Sequence, residues 1–284
     1  MPELPEVETV RRRLEPVLVG RRLDRVEIVD PRLTRPEDPL EVAAELSGER
    51  VEAVDRRGKY LIVRFESGRA LLVHLRMTGS LLHADELSED PHRRATAELD
   101  DGSYLAYRDV RRFGTWLLAE PGEAEPYLDA RLGREPLVGS FTTKRLGEAL
   151  AGRRAPVKAA ILDQRRLAGV GNIYADEALW RARLNPLRPA NGLSAEEVAR
   201  LTRAIRAALR AGLERQGSTL RDYATPDGAS GSMQNEFRVY GRDGEPCRRC
   251  RTTITKTRVG GRGTWFCPRC QPLDDDDGRT PASQ

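Results

Sequence analysis

Four cysteines constrain this chain more than any other feature. Cys247, Cys250, Cys267 and Cys270 are spaced C-x2-C-x16-C-x2-C and account for every cysteine in the 284 residues. Each C-x-x-C step offers two thiolates to one face of a tetrahedral ion, so the spacing predicts one structural Zn2+. Two disulfides would use the same residues. However, Glu3, Glu6 and Glu8 stand where a secretory signal needs basic and then apolar side chains, so a reducing, cytoplasmic compartment is expected. A closed four-sulfur shell leaves no position open to water or substrate, so the metal would organise the chain and take no part in chemistry.

The charge around those cysteines points to a partner. Residues 241–271 carry seven Arg and one Lys against Asp243 and Glu245, a net of +6. The whole chain is only +4, because residues 271–284 hold Asp274–Asp277 against Arg279, a net of −3. The remaining body, residues 1–270, is therefore +7. Clustered positive charge is the footprint of a polyphosphate, and equally of a solvated Arg-rich surface. Of 48 basic residues only Lys59, Lys144, Lys158 and Lys256 are lysines, which marks them as places where a compact ammonium is wanted. No apolar run approaches the roughly 18 residues of a membrane span.

Two patterns divide the chain. Val7, Val10, Leu14 and Val17 give an opening helix, with Pro5 in its first turn and Gly20 after its end. Then Val26/Ile28, Tyr60–Phe65, Ala70–Leu75, Thr96–Leu99, Tyr104–Tyr107 and Thr115–Leu118 read as short strands, with hairpin turns at 66–68 and 100–102. That density of strands predicts a sandwich or barrel. Beyond Pro136 the pattern is helical, with a capping box at Ser194 and Glu197 ahead of Val198, Leu201, Ile205 and Leu209. Residues Thr225–Ser232 form a flexible loop by composition, and Asp274–Asp277 belong to a patternless tail.

Three further clusters are candidate sites. Trimming of Met1 would expose the Pro2 secondary amine, whose reference pKa near 7.7–8.0 leaves a neutral, nucleophilic fraction. Glu3 and Glu6 lie within one turn of it and can move protons; a Pro/Glu start is also an ordinary helix N-terminus. RRGKY (56–60), HLRMTG (74–79) and RDVRRFG (108–114) sit at strand ends, and place Met77 and Phe113 among basic residues, where apolar wedges can enter a base stack. GVGN (169–172) lacks Walker or dinucleotide spacing, so no nucleotide cofactor is expected, but its backbone amides and Asn172 can hold a phosphate.

Taken together, MPELPEVET, HLRMTGSL, RDVRRFG, GVGNIYADEALW and the four-cysteine finger resemble the bacterial formamidopyrimidine-DNA glycosylase family, in order from Pro2 to Cys270. The resemblance implies an α+β fold of two lobes. These are an N-terminal helix-capped β-sandwich and a C-terminal helix–two-turn–helix domain with a four-cysteine zinc finger, with DNA between them. It divides the chain at 1–133, 134–236, 237–271 and a disordered 272–284. It implies excision of oxidised purines from damaged double-stranded DNA, then β,δ-elimination, by a cytoplasmic, nucleoid-associated monomer. Residue by residue, Pro2 resembles the nucleophile, Glu3 the general acid, and Glu6 a partner in proton transfer. Lys59 resembles the lysine that contacts phosphate and assists β-elimination, and Arg262 the arginine linked to δ-elimination. Met77, Arg111 and Phe113 resemble the triad that fills the gap left by the extruded base. His74, His92, Arg153 and Asn172 match DNA contacts, and Thr225–Ser232 a lid. The sister endonuclease VIII family usually begins Pro-Glu-Gly-Pro-Glu; this chain has Leu4.

Overall fold

A computed structural model describes residues 2–219 and 223–273, so the acidic run Asp274–Asp277 and Met1 lie outside the described residues. The chain forms two compact units. The first comprises Met1–Val138, Gln164–Gly171 and Leu209–Glu236; the second comprises Gly139–Asp163, Asn172–Ala208 and Phe237–Gln284. Segments distant in sequence thus share a unit, because residues such as Gly171 and Ser218 bond to the N-terminal helix.

The first unit is a sandwich of two four-stranded antiparallel sheets. Its strands are β1 (Leu23–Ile28), β2 (Val51–Arg57), β3 (Tyr60–Phe65), β4 (Ala70–His74), β5 (Gly79–Ala84), β6 (Arg93–Leu99), β7 (Tyr104–Asp109) and β8 (Thr115–Ala119). One sheet has the order β1-β6-β7-β5, the other β2-β3-β4-β8. Val26, Ala97, Tyr107 and Leu81 of the first meet Val54, Val63, Val73 and Trp116 of the second in one core. Helices α1 (Leu4–Leu18) and α2 (Pro39–Leu46) add Val7, Val10, Leu14 and Leu46.

The burial patterns explain the two kinds of strand in the sequence. β6 and β7 alternate buried and half-buried positions, as strands covered on one face do. β4 is buried throughout, because Ile62, Ala70 and Leu72 face a second cluster with Leu128 of α3 (Ala124–Asp129) and Ala168. Both expected hairpins form: Gly68 and Gly102 close them with φ of 88° and 83°, a conformation that suits glycine.

The second unit contains α4 (Thr143–Leu150), α5 (Val157–Leu162), α6 (Asn172–Ala182), most of α7 (Ala195–Glu214) and the hairpin β9 (Thr255–Val259)–β10 (Arg262–Phe266). The expected capping box starts α7: Ser194 N–H donates to Glu197 Oε2 at 2.8 Å, and Glu197 N–H to Ser194 Oγ at 3.2 Å. Val198, Leu201 and Ile205 are buried along one face. Trp180, Val239, Ile254, Cys247 and Cys267 form a separate small core under the finger. Among the described residues no helix is long and apolar enough to cross a membrane.

Candidate active site and nucleic-acid interface

Strand register collects the expected site residues of the first unit at one end of both sheets. Tyr60 pairs with His74 and His74 with Thr115, so the β2–β3 turn holding Lys59, the segment after β4 holding Met77, and the segment before β8 holding Phe113 are neighbours. Gly79 pairs with Asp109, and Arg93 with Arg108, which brings His92 and Arg111 to the same end. Helix α1 runs antiparallel to β2: Arg56 Nε donates to Glu8 at 3.0 Å and Gly20 N–H to Val51 O at 2.8 Å. Its N-terminus, with Pro2 and Glu3, therefore lies at the Lys59 end.

Glu3 and Glu6 are both 1% exposed. Glu3 N–H donates to Glu6 Oε2 at 2.9 Å, the Gly171 N–H to Glu3 Oε2 at 2.7 Å, and the Ser218 N–H to Glu6 Oε1 at 2.8 Å. Buried carboxylates need such donors. Glu6 is thus a junction between α1 and the Ser218 segment, and the Glu3 side chain also accepts the Glu6 N–H in the capping box that opens α1. The glycine-rich turn expected to offer free amides to a phosphate has two of them committed: Gly169 N–H donates to Gln164 Oε1 and Gly171 N–H to Glu3. A Cβ on Gly171 would lie 2.6 Å from Glu3 Cγ. Gly171→Ala is therefore expected to displace Glu3 and slow base excision by about tenfold or more, since a small misplacement costs that much. Single-turnover rates with a melting curve check this; an unchanged rate in a folded variant would show that Glu3 placement does not matter.

Lys59 is 5% exposed and occupies the second position of a two-residue hairpin turn. Gly58 takes the first, with φ of 60°, as a type II′ turn requires. The turn is clamped: Arg56 reaches Glu135 with two nitrogens at 2.7 and 2.9 Å and donates to Gly58 O at 2.9 Å, while Gly58 N–H also bonds to Glu135. Arg56 belongs to the RRGKY cluster singled out in the sequence, but its partner Glu135 lies 79 residues away and carries no local signal.

His74 lies under this turn, its ring edge-on to Tyr60 with centroids 4.8 Å apart. Burial first, and then the charges of Arg76 and Lys59, push its pKa down to about 3. Its Nδ1 accepts the Arg76 N–H at 3.0 Å, so the neutral ring carries its proton on Nε2, where it can donate to a phosphate. The folded pKa lies below the unfolded value near 6.5, so the stabilisation present above pH 6.5 is lost as pH falls toward 3. A His74→Gln chain is expected to lose part of this acid sensitivity. Thermal melts between pH 7 and 4 measure it, and an identical slope would contradict the assignment.

Met77 is 39% and Phe113 50% exposed, so neither is a core residue. The Arg111 guanidinium lies 4.7 Å from the Phe113 ring centre. His92 is half-buried, its Nδ1 3.4 Å from Arg94. The Thr225–Ser232 loop has more internal order than its composition suggests. Thr225 is fully buried, its N–H and hydroxyl donate to Ala229 O, and Pro226 O accepts the His83 N–H at 2.9 Å.

In the second unit all four cysteine sulfurs lie within 4.8 Å of one another, with Cys247–Cys270 at 3.9 Å and Cys250–Cys267 at 3.4 Å. Zinc–sulfur bonds of about 2.3 Å demand tetrahedral edges of roughly 3.8 Å, so the set fits zinc. The Trp180 Nε1–H and Arg249 N–H both point at Cys247 Sγ at 3.4 Å, as donors to a thiolate would. Arg262 starts β10, exposed, after the Gly260–Gly261 turn. Its own strand is anchored by the buried Lys158, whose Nζ contacts Gly263 O (2.9 Å), Thr264 Oγ1 (2.8 Å) and Asp176 (2.7 Å). Asn172 donates to Gly263 O at 3.0 Å, so one of its two amide hydrogens serves the protein. Arg153 is exposed between α4 and α5.

Comparison with known proteins decides the family. Residues 1–116 match the formamidopyrimidine-DNA glycosylase N-terminal domain, 132–224 the H2TH domain of the same enzymes, and 244–273 a zinc finger found in FPG and IleRS. A formamidopyrimidine-DNA glycosylase of Symbiobacterium thermophilum is 49% identical over 277 residues, 97% of this chain and 90% of that one. The chain belongs to the formamidopyrimidine-DNA glycosylase family. Two solved structures of the Lactococcus lactis enzyme are similar throughout. One, bound to DNA with an abasic site, has a TM-score of 0.90 and 39% identity over 95% of this chain and 100% of that one. The other, bound to Fapy-dG-containing DNA, has a TM-score of 0.89 and 38% identity over the same shares. A formamidopyrimidine-DNA glycosylase is an enzyme of base excision repair, and AP lyase activity is typical of the family. The finger of this glycosylase holds one structural zinc, and the two-sheet, helical and finger architecture is the family's.

Proposed function

We propose that this glycosylase excises oxidised purines, 8-oxoguanine and formamidopyrimidines, from damaged double-stranded DNA. It then cuts the strand by β,δ-elimination, acting as a monomer on the bacterial nucleoid. Residues 1–133 form its catalytic domain, 134–236 and the finger 237–271 its DNA-binding parts, and Thr225–Ser232 the lid over the lesion. The observation that carries this reading is the N-terminal end of α1, where Pro2 precedes a buried Glu3 held by Gly171 and the clamped Lys59 turn lies at the same end of the sheet.

A base inside a duplex hides its glycosidic carbon, so the nucleotide is first extruded, and Met77, Arg111 and Phe113 fill the gap. With Met1 removed, the neutral Pro2 nitrogen bonds C1′ as the glycosidic electron pair leaves with the base, and the proton that the Pro2 nitrogen then releases balances the one the base takes up. Glu3 gives a proton to the ring oxygen as C1′–O4′ opens, leaving an iminium. An iminium on a secondary amine is permanently cationic, so it draws electrons without further protonation. Loss of a C2′ proton then expels the 3′ phosphate, and loss of a C4′ proton in a second elimination expels the 5′ phosphate. Glu6 relays protons to Glu3, Lys59 and Arg262 hold the phosphates, and His74, His92, Asn172 and Arg153 bind the backbone. Zinc contributes by folding the finger that carries Arg262.

Matched duplexes bearing 8-oxoguanine or an oxidised pyrimidine test the specificity. The purine lesion is expected to be cut at least about tenfold faster in a single turnover. Equal or reversed rates would overturn the purine reading.

A further inference from the structure

One buried carboxylate holds both loops that present Met77, Arg111 and Phe113. Asp109 is 1% exposed and ends β7. Its Oδ1 accepts Thr78 Oγ1 at 2.5 Å and the Arg111 N–H at 3.2 Å; its Oδ2 accepts the Phe113 N–H at 2.9 Å and the Gly114 N–H at 2.7 Å. Thr78 Oγ1 also accepts the Arg111 N–H, at 3.0 Å, and so stitches the Met77 loop to the Arg111 loop. Four donors converge on one group, which suits an ionised carboxylate because it only accepts.

Both loops also turn through a left-handed arginine just before the apolar residue. Arg76, φ 53°, precedes Met77, and Arg112, φ 58°, precedes Phe113. L-residues with long side chains hold this conformation only where their surroundings enforce it. For Arg112 the enforcement is visible: its Nε and Nη2 pair with the two oxygens of Asp30, 3% exposed, at 2.6 and 2.7 Å. Arg94 ties the two carboxylate sites together, donating to Asp109 O at 2.9 Å and lying 4.0 Å from Asp30.

We propose that Asp109 and Thr78, with the Asp30–Arg112 pair, are positioning residues that preset the two loops for base extrusion. Met77, Arg111 and Phe113 then enter the stack as one rigid unit, and no loop has to be ordered while the base leaves. The inference rests on reading those three side chains as gap-fillers. It assigns the carboxylates to opening the duplex and keeps them out of the Schiff-base chemistry, which separates their effects on two substrates. A duplex with 8-oxoguanine requires a stacked base to be removed; a duplex with an abasic site does not.

The test compares single-turnover rates of the full-length, zinc-loaded chain on these two duplexes, with 2-aminopurine beside the lesion to report opening. Thr78→Val, which keeps shape and loses the stitch, is expected to slow 8-oxoguanine excision and the 2-aminopurine signal about tenfold, with abasic-site incision changed less than about twofold. Thr78→Ser is expected to restore the rate, and Asp109→Asn, which turns an amide donor toward backbone donors, to cost more than Thr78→Val. Equal slowing on both substrates, or no slowing on either, would overturn the proposal. Phe113→Ala is the reference: selective slowing there without selective slowing in Thr78→Val refutes the positioning role alone. A Phe113→Ala chain with no preference between the substrates refutes the gap-filler reading beneath it.

Discussion

A chain that keeps Met1 is expected to excise nothing measurable from an 8-oxoguanine duplex, and Pro2→Gly to lose about 100-fold in single-turnover rate. The first follows from bonding. In an acylated proline the nitrogen lone pair is shared with the carbonyl, and no nucleophile remains. The second follows from the kind of amine. Glycine supplies a primary amine of similar basicity, but its imine must take up a proton to become the electron sink that proline's iminium already is. Glycine also frees the backbone at the point where Pro2 leads into the Glu3 cap and α1. Intact-mass measurement of each preparation identifies the N-terminus, and rates on the same sample give the effect. Full activity with Met1 retained would remove Pro2 from the mechanism.

Removing the zinc is expected to abolish excision and open the finger. Structural zinc contributes roughly 10–16 kcal/mol of apparent binding free energy, comparable to the whole stability of a domain. Four sulfurs within 4.8 Å of one another lose their shared ligand bonds without the ion, and take up protons in its place. The small core of Trp180, Val239, Cys247, Ile254 and Cys267 has little else to close it. Chelation should therefore shift tryptophan emission to the red, because Trp180 donates to Cys247 Sγ and Trp265 packs on the same core. It should also release Arg262 from its place on β10, and excision should return on adding zinc. Unchanged emission and activity in a chain shown to be metal-free would contradict the structural role.

Much of this was legible in the amino-acid order, for physical reasons that also mark where legibility ends. The cysteine spacing, the Ser194–Glu197 box and the runs at Tyr60–Phe65 and Ala70–Leu75 are local signals, and each became the expected element. β2 was missed because a bulge between Val51 and Ala53 inserts a residue, so its buried positions Val51 and Val54 fall three apart and break the period of two. β5 was missed because it opens on Gly79, where space is set by the backbone of Leu75: a Cβ there would lie 2.5 Å from Leu75 O. Pro2, Glu3 and Lys59 could be named from motif resemblance. The partners that fix this site could not, since Gly171, which donates to Glu3, Ser218, which donates to Glu6, and Glu135, which accepts from the Lys59 turn, come from segments far along the chain. The amides of Gly169 and Gly171, expected to be open to a phosphate, are taken by Gln164, a turn away in sequence, and by the distant Glu3, and the turn's own residues announce neither bond.

The proposed mechanism turns on one bond, from the Pro2 nitrogen to the damaged nucleotide. Borohydride reduction of a reacting mixture fixes any Schiff base, and peptide mapping of the adduct locates it. The sugar remnant is expected on the N-terminal peptide, at Pro2, in a chain lacking Met1. Attachment at Lys59, or no adduct while excision proceeds, would contradict the mechanism.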